Sequence, residues 1–172
     1  MATPLIVGLS GNITTPSKTR SLTSTALHLV SERLDAETRL LDVNDFGDSL
    51  GRARQAGDLS SDARQKFDLL LSADALVIAT PIYKASYPGL FKHLIDLMDP
   101  VALRGKPVLL AATGGGEKHA LAVEHQLRPL LAFFEAQGLA TAVHACDKDF
   151  AEGVLTGAAT LDRLARAVAQ FD

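Results

Sequence analysis

Apolar and polar positions divide this chain of 172 residues into two kinds of segment that alternate from end to end. Short apolar runs stand at Leu5–Leu9, Thr38–Val43, Ala75–Thr80, Pro107–Thr113 and Leu139–Ala145. Most are continuous rather than alternating, as expected of strands covered on both faces of a parallel sheet. Helical patterns lie between them. In Thr19–Leu34 the residues Leu22, Ala26, Val30 and Leu34 recur at every fourth position, and Ser61–Ser72 places Ala63, Phe67, Leu70 and Leu71 on one face. Pro88–Met98 has Ser86 as a candidate cap and Pro88 in its first turn, where a missing N–H costs little. Glu117–Gln137 is the longest helical pattern and Thr160–Phe171 the last, while polar Asn44–Leu59 reads as a long loop.

Five strands alternating with five helices predict one α/β domain over residues 1–172. The expected architecture is a three-layer sandwich, a parallel sheet with helices on both faces joined by right-handed crossovers. Net charge is −3 and the basic residues are scattered, which argues against nucleic acid as the main partner. No apolar run approaches the ~18 residues of a membrane span. The single cysteine, Cys146, and an N-terminus without a basic-then-apolar leader predict a cytoplasmic protein. His28, His93, His119 and His144 lack metal-ligand spacing with Cys146 or with a carboxylate cluster, so no metal site is expected.

Candidate chemistry gathers at three strand ends. Gly8 to Arg20 reads GLSGNITTPSKTR between the first strand and the first helix. Inward-facing amides and hydroxyls, with the partial positive charge of a helix N-terminus, suit a phosphate. Ser10, Ser17, Thr19 and Arg20 are the candidate ligands, with Lys18 beside them. The spacing is neither a P-loop nor G-x-G-x-x-G. After the third strand, Pro81 restrains Thr80 to an extended conformation, and Pro81, Ile82, Tyr83 and Lys84 can set a loop edge-on to a planar heterocycle. Tyr83 and Tyr87, the only tyrosines, make a stacking surface, a subunit contact or a cover for the sheet end. After the fourth strand, Thr113-Gly114-Gly115-Gly116 permits positive φ and close approach of backbone to a flat ring. A phosphate loop after strand 1 favours the flavodoxin-like order 2-1-3-4-5, with the ligand at the switch point beyond strands 1, 3 and 4.

These segments together resemble the NAD(P)H-dependent FMN reductase family. The resemblance is carried by ATPIYKASYPGLFKHLIDLM (79–98), LRGKPVLLAATGGG (103–116) and HALAVEHQLRPLL (119–131). In detail they look like the flavin reductases that serve two-component alkanesulfonate and methanesulfonate monooxygenases. The first loop departs from the commoner Gly-Ser-Pro opening, with Leu9-Ser10-Gly11-Asn12 in its place. The resemblance implies FMN as flavin and NADPH or NADH as hydride donor. It places the FMN phosphate among Ser10, Ser17, Thr19 and Arg20, and the ring edge on Pro81 to Lys84 and Thr113 to Gly116. It also implies a π-type bulge near His125 at a subunit interface, with His125 a candidate for flavin access. Independently, Pro129 has no N–H to offer the carbonyl of His125, which predicts a disturbed turn there.

The expected reaction is hydride transfer through the flavin, with no obligatory catalytic side chain. Low aromatic content (5%, no Trp) agrees with an open flavin face. The expected partners are a second copy of the chain, as a homodimer or homotetramer through Pro88–Met98 and Glu117–Gln137, and a flavin-dependent monooxygenase. Rival readings are an FMN-bound quinone, azo or metal-oxyanion reductase, and a flavodoxin-like electron carrier.

Overall fold

The computed structural model describes residues 3–171. Its main sheet is parallel and runs β2-β1-β3-β4-β5, with β6 continuing beside β4. The strands are β1 (Leu5–Ser10), β2 (Glu37–Asp42), β3 (Ala75–Pro81), β4 (Pro107–Gly114), β5 (Gln137–Gly138) and β6 (Val143–Cys146). This is the expected order, with the fifth position shared by two short strands. Every residue of β3 is buried, because it lies between β1 and β4 with helices over both faces. On the outer β2, exposed Glu37 and Arg39 border water.

Two apolar layers cover the sheet. On one face, α1 (Lys18–Arg33) and α6 (Ala158–Val168) bury Leu22, Ala26, Val30, Leu164 and Ala167 against Ile6, Val77 and Leu109. The other face receives α3 (Ser61–Ser72), α4 (Gly89–Asp96) and α5 (Arg128–Ala132), through Phe67, Leu70, Phe91, Leu94 and Leu131. Helix α1 lies close because Gly8 has no side chain. A Cβ there would stand 2.7 Å from Thr23 Cγ2 and 2.8 Å from Leu27 Cδ1.

Several expected elements are corrected. Residues 44–59 are not an open loop: a 3-10 turn (Val43–Phe46), the short helix α2 (Gly47–Leu50) and a second 3-10 turn (Ala56–Asp58) bury Phe46, Leu50, Ala53 and Leu59. The polar and Gly-rich composition hid these apolar anchors. Ser86 does not cap α4, whose N-cap is Pro88 without a side-chain bond; Ser86 Oγ instead donates to Gln126 Oε1 at 3.0 Å.

The run Leu139–Ala145 is not one strand either. Where pairing with β4 lapses, α6 and the turn after it take over: Arg163 Nε donates to the Ala142 carbonyl at 2.6 Å, and Gln170 Oε1 accepts from Thr141 N at 3.1 Å. Beyond β6 a small hairpin of β7 (Phe150–Ala151) and β8 (Val154–Leu155) precedes α6. The sequence reading did not anticipate it.

The expected long helix Glu117–Gln137 is broken into a 3-10 turn (Glu117–His119), a π turn (Val123–Leu127) and α5. The π turn sits where Pro129 disturbs the helix: Arg128 N donates five residues back to the Val123 carbonyl. Arg128 also braces it, with Nε 2.5 Å and Nη2 3.0 Å from the two carboxylate oxygens of Glu124, and Nη1 3.1 Å from the Leu139 carbonyl.

Candidate flavin site

Parallel register brings the carboxyl ends of the strands to one rim. Ser10 is paired with Asp42 and Ala79, Pro81 with Thr113, and Gly114 with Cys146. The three loops read from sequence as sites start from that rim. An open cleft of about 160 Å³ lies among them, lined by Lys18, Pro81, Ile82, Tyr83, Thr113, Gly114, Gly115, Asp147 and Phe150. Asp147 and Phe150, just after β6, were not read from the sequence as site residues.

The first loop is tied to the rim by its own polar groups. Gly11 N donates to the Ala79 carbonyl at 2.7 Å. Ser10 is fully buried and its hydroxyl donates to Asn12 Oδ1 at 2.5 Å. Buried Thr19 places Oγ1 2.6 Å from Thr113 Oγ1. Ser17 is the N-cap of α1, its Oγ accepting from Arg20 N at 3.1 Å while its own O–H remains free to donate. Of the three candidate hydroxyls, Ser17 is therefore the one whose proton has no partner among the described residues, at a helix N-cap, while Ser10 and Thr19 are buried against Asn12 and Thr113. The cations are held as well. Arg20 Nη1 lies 2.7 Å from Asp42 Oδ2, and Lys18 Nζ lies 2.9 Å from Asp147 Oδ1 and 5.8 Å from the Phe150 ring centroid.

In the second loop, Ile82 N donates to the Thr113 carbonyl at 2.8 Å and Tyr83 N to the Ser86 carbonyl at 2.7 Å. Those two amides are used inside the protein. Ser86 N returns a bond to Tyr83, so Lys84 and Ala85 form the tip of a two-residue turn with φ of 51° and 70°. The two tyrosines have different places. Tyr87 packs on Phe91, with ring centroids 5.8 Å apart, while half-exposed Tyr83 lines the cleft.

The third loop also divides. None of Gly114, Gly115 and Gly116 uses the positive φ that glycine permits, and Gly116 is extended at −169°. Gly114 is fixed by packing, since a Cβ there would lie 3.0 Å from His119 Cβ and 3.2 Å from His144 Nε2. Gly115 and Gly116 have open space where a Cβ would stand. Burial pushes the His144 imidazole down from its ordinary value; nearby His119 adds to this, and Asp149 and Glu117 oppose it. Burial pushes the Cys146 thiol up, reinforced by its hydrogen bond to Asp149. Among the described residues, no group of three or more His, Cys, Asp and Glu is placed to hold a metal ion, and no helix is long and apolar enough to cross a membrane.

The start of α1 offers the Ser17 O–H and the amides of a helix N-terminus, an arrangement that suits an anion, while the Arg20 guanidinium is held by Asp42. Gly115 and Tyr83 both line the cleft, and the open space at Gly115 leaves its backbone accessible from there. A 2-1-3-4-5 sheet with a phosphate-suited first loop and a glycine-walled cleft at its switch point defines the flavodoxin-like class of flavin-binding domains. Within that class, the family described as NADPH-dependent FMN reductase matches residues 4–151, and the chain belongs to it. The NADH-dependent FMN reductase SfnF of Pseudomonas fluorescens is 45% identical over 157 residues, covering 91% of this chain and 84% of that one. An FMN reductase (NADPH) of Pseudomonas aeruginosa is 42% identical over 145 residues, 84% and 78% of the two chains. The solved NADH:FMN oxidoreductase EmoB, in its apo form, superposes with a TM-score of 0.87 at 33% identity, covering 98% of this chain and 88% of that one. The activity of the family is reduction of FMN by NADH or NADPH.

Proposed function

We propose that this chain carries out NAD(P)H + FMN + H⁺ → NAD(P)⁺ + FMNH2 and releases the reduced flavin to a flavin-dependent monooxygenase of the sulfonate-desulfonating kind, in the cytoplasm. The observation that carries the site is the Thr19–Thr113 contact, which brings the phosphate loop and the glycine loop to one cleft. The resemblance of residues 79–131 supports the monooxygenase partner, and the relative named NADH-dependent FMN reductase SfnF supports the flavin reductase activity.

When bound, the flavin supplies the hydride-accepting chemistry. The protein supplies position and electrostatics. Ser17 O–H, the first amides of α1 and Arg20 hold the phosphate. Gly115 and Gly116 let backbone approach the ring, and Tyr83 with the Lys84–Ala85 turn borders it. Lys18, clamped by Asp147, stands at the rim. The open cleft leaves one ring face for a nicotinamide.

A second copy of the chain is part of this reading. A groove of about 560 Å³ runs between α4 and α5, lined by the apolar Ile95, Met98, Pro100, Leu130, Phe133 and Phe134 and by the Lys92 and Asp96 side chains. Phe133 is 67% exposed, and Leu121, at the start of the π-turn segment, is 65% exposed. Covering this face in a homodimer or homotetramer would place exposed His125 of the π turn near the subunit contact.

Anaerobic mixing with NADH or NADPH tests the activity, with and without added FMN. The expected result is bleaching of the flavin's blue absorption band in proportion to added FMN. A bound flavin that no nicotinamide bleaches would make the chain an electron carrier. Coupling the reduced product to sulfonate-dependent oxygen uptake by a monooxygenase tests the partner.

A further inference from the structure

Arg20 presents a physical problem that its neighbourhood answers. It is the third residue of α1, in the turn where the helix dipole and unpaired amides are positive. A cation is disfavoured there, and an exposed arginine side chain would swing away into water. The side chain is 41% exposed, yet Nη1 is fixed 2.7 Å from Asp42 Oδ2.

Asp42 is itself fixed on every side. It ends β2, is 4% exposed and pairs in the sheet with Ser10. Its other oxygen, Oδ1, accepts from Asn44 N at 2.9 Å, and its own N–H donates to Asp45 Oδ2 at 2.7 Å. A buried carboxylate with both oxygens engaged is a rigid anchor, and guanidinium has further N–H donors beyond the one Asp42 accepts.

We propose that Asp42 is the positioning residue of the flavin phosphate site: it holds Arg20 over the N-terminus of α1, with the remaining guanidinium donors directed to the phosphate. This rests on the phosphate assignment of the preceding section. Asp42 does not touch the ligand. It offsets the repulsion between Arg20 and the helix end, and it limits the rotamers Arg20 would otherwise sample, so the cation is in place before the anion arrives.

The test compares FMN with riboflavin, which lacks only the phosphate, by quenching of flavin fluorescence. In Arg20→Ala the FMN affinity falls about tenfold to a hundredfold, the scale of one charge-assisted hydrogen bond, while riboflavin affinity is unchanged. Asp42→Asn and Asp42→Ser lower FMN affinity about threefold to tenfold, again sparing riboflavin. Serine keeps the cap on Asn44 N and removes only the contact with Arg20, so it serves if the asparagine variant folds poorly. The Asp42→Ser, Arg20→Ala double variant binds FMN no more weakly than Arg20→Ala alone, because one residue acts through the other. Asp42 variants that weaken both flavins equally, or that leave the FMN-to-riboflavin ratio unchanged while Arg20→Ala lowers it, overturn the positioning role and leave the phosphate assignment standing. A ratio unmoved by Arg20→Ala overturns the phosphate assignment and this inference with it.

Discussion

Thr19 Oγ1 and Thr113 Oγ1 lie 2.6 Å apart, although 94 residues separate them in the chain. The first belongs to the opening turn of α1 and the second to the end of β4, one residue before its glycines. Both side chains are buried, so the hydroxyl pair is sheltered from water and sets the spacing between the two loops that border the cleft.

Replacing Thr113 by valine keeps the shape and leaves the Thr19 hydroxyl without its partner. The expected cost is about 1–3 kcal/mol, the price of one buried unsatisfied group. Thr19→Val should cost a similar amount, and the double variant less than the sum of the two. Urea unfolding of the four proteins measures the coupling, and additive losses would show that the hydroxyls do not depend on each other.

Neighbouring glycines should respond in opposite ways. Gly114→Ala drives a methyl onto His119 and His144 and should destabilise the fold by about 1–3 kcal/mol. Gly115→Val meets open space, so its melting temperature should stay near wild type while flavin affinity drops by about 1–3 kcal/mol from crowding of the ring. Thermal melts and flavin titrations separate the two. Unimpaired flavin binding in Gly115→Val would move the ring off this loop.

Stability should fall in mild acid through His144. Its pKa is lowered in the fold, so the unfolded chain takes up its proton first as pH drops. Stability is therefore lost from about pH 6.5 downward, until the folded imidazole is itself protonated. His119, Glu117 and Asp149 face the same group, and the two carboxylates temper the effect. His144→Gln should flatten melting temperature against pH across that window. An unchanged slope would assign the acid sensitivity elsewhere.

Phe133→Asp should reduce the mass of the particle measured by light scattering without lowering the helical content measured by circular dichroism. The side chain is 67% exposed at the edge of the α4–α5 groove, so the variant buries no new charge in the isolated chain. A mass equal to wild type would remove this face from the subunit contact.

Much of this architecture was legible along the chain because its causes are local. Ser61–Ser72 was read with the same ends the structure has, since Ser60 caps it and the apolar residues keep one face. The unbroken apolar runs of β1, β3 and β4 reported double coverage directly. Even the disturbed turn at 123–127 was readable, because a missing N–H on Pro129 acts within its own segment. The irregular stretch 44–59 was misread because Phe46, Leu50, Ala53 and Leu59 are anchored by a core that forms from distant residues.

In the three loops, the sequence offered candidate residues but not their partners. Arg20, Lys18, Ser10 and Thr19 look alike in GLSGNITTPSKTR, each a free polar group. Asp42 was missed because its pairing with Arg20 depends on β2 lying beside β1 in the sheet, which no local pattern shows.

The linear chain by itself determined the element order, the sheet class and the three loops that carry polar chemistry, because periodicity, proline and capping residues act over a few neighbours. Tertiary structure alone decided which of those polar groups remain available. Ser10 turns to Asn12, Thr19 to Thr113, Arg20 to Asp42, and Gly114 makes room for two imidazoles while Gly115 and Gly116 stay open. Those assignments depend on parallel register across strands that are far apart in sequence, a relationship that no local pattern encodes.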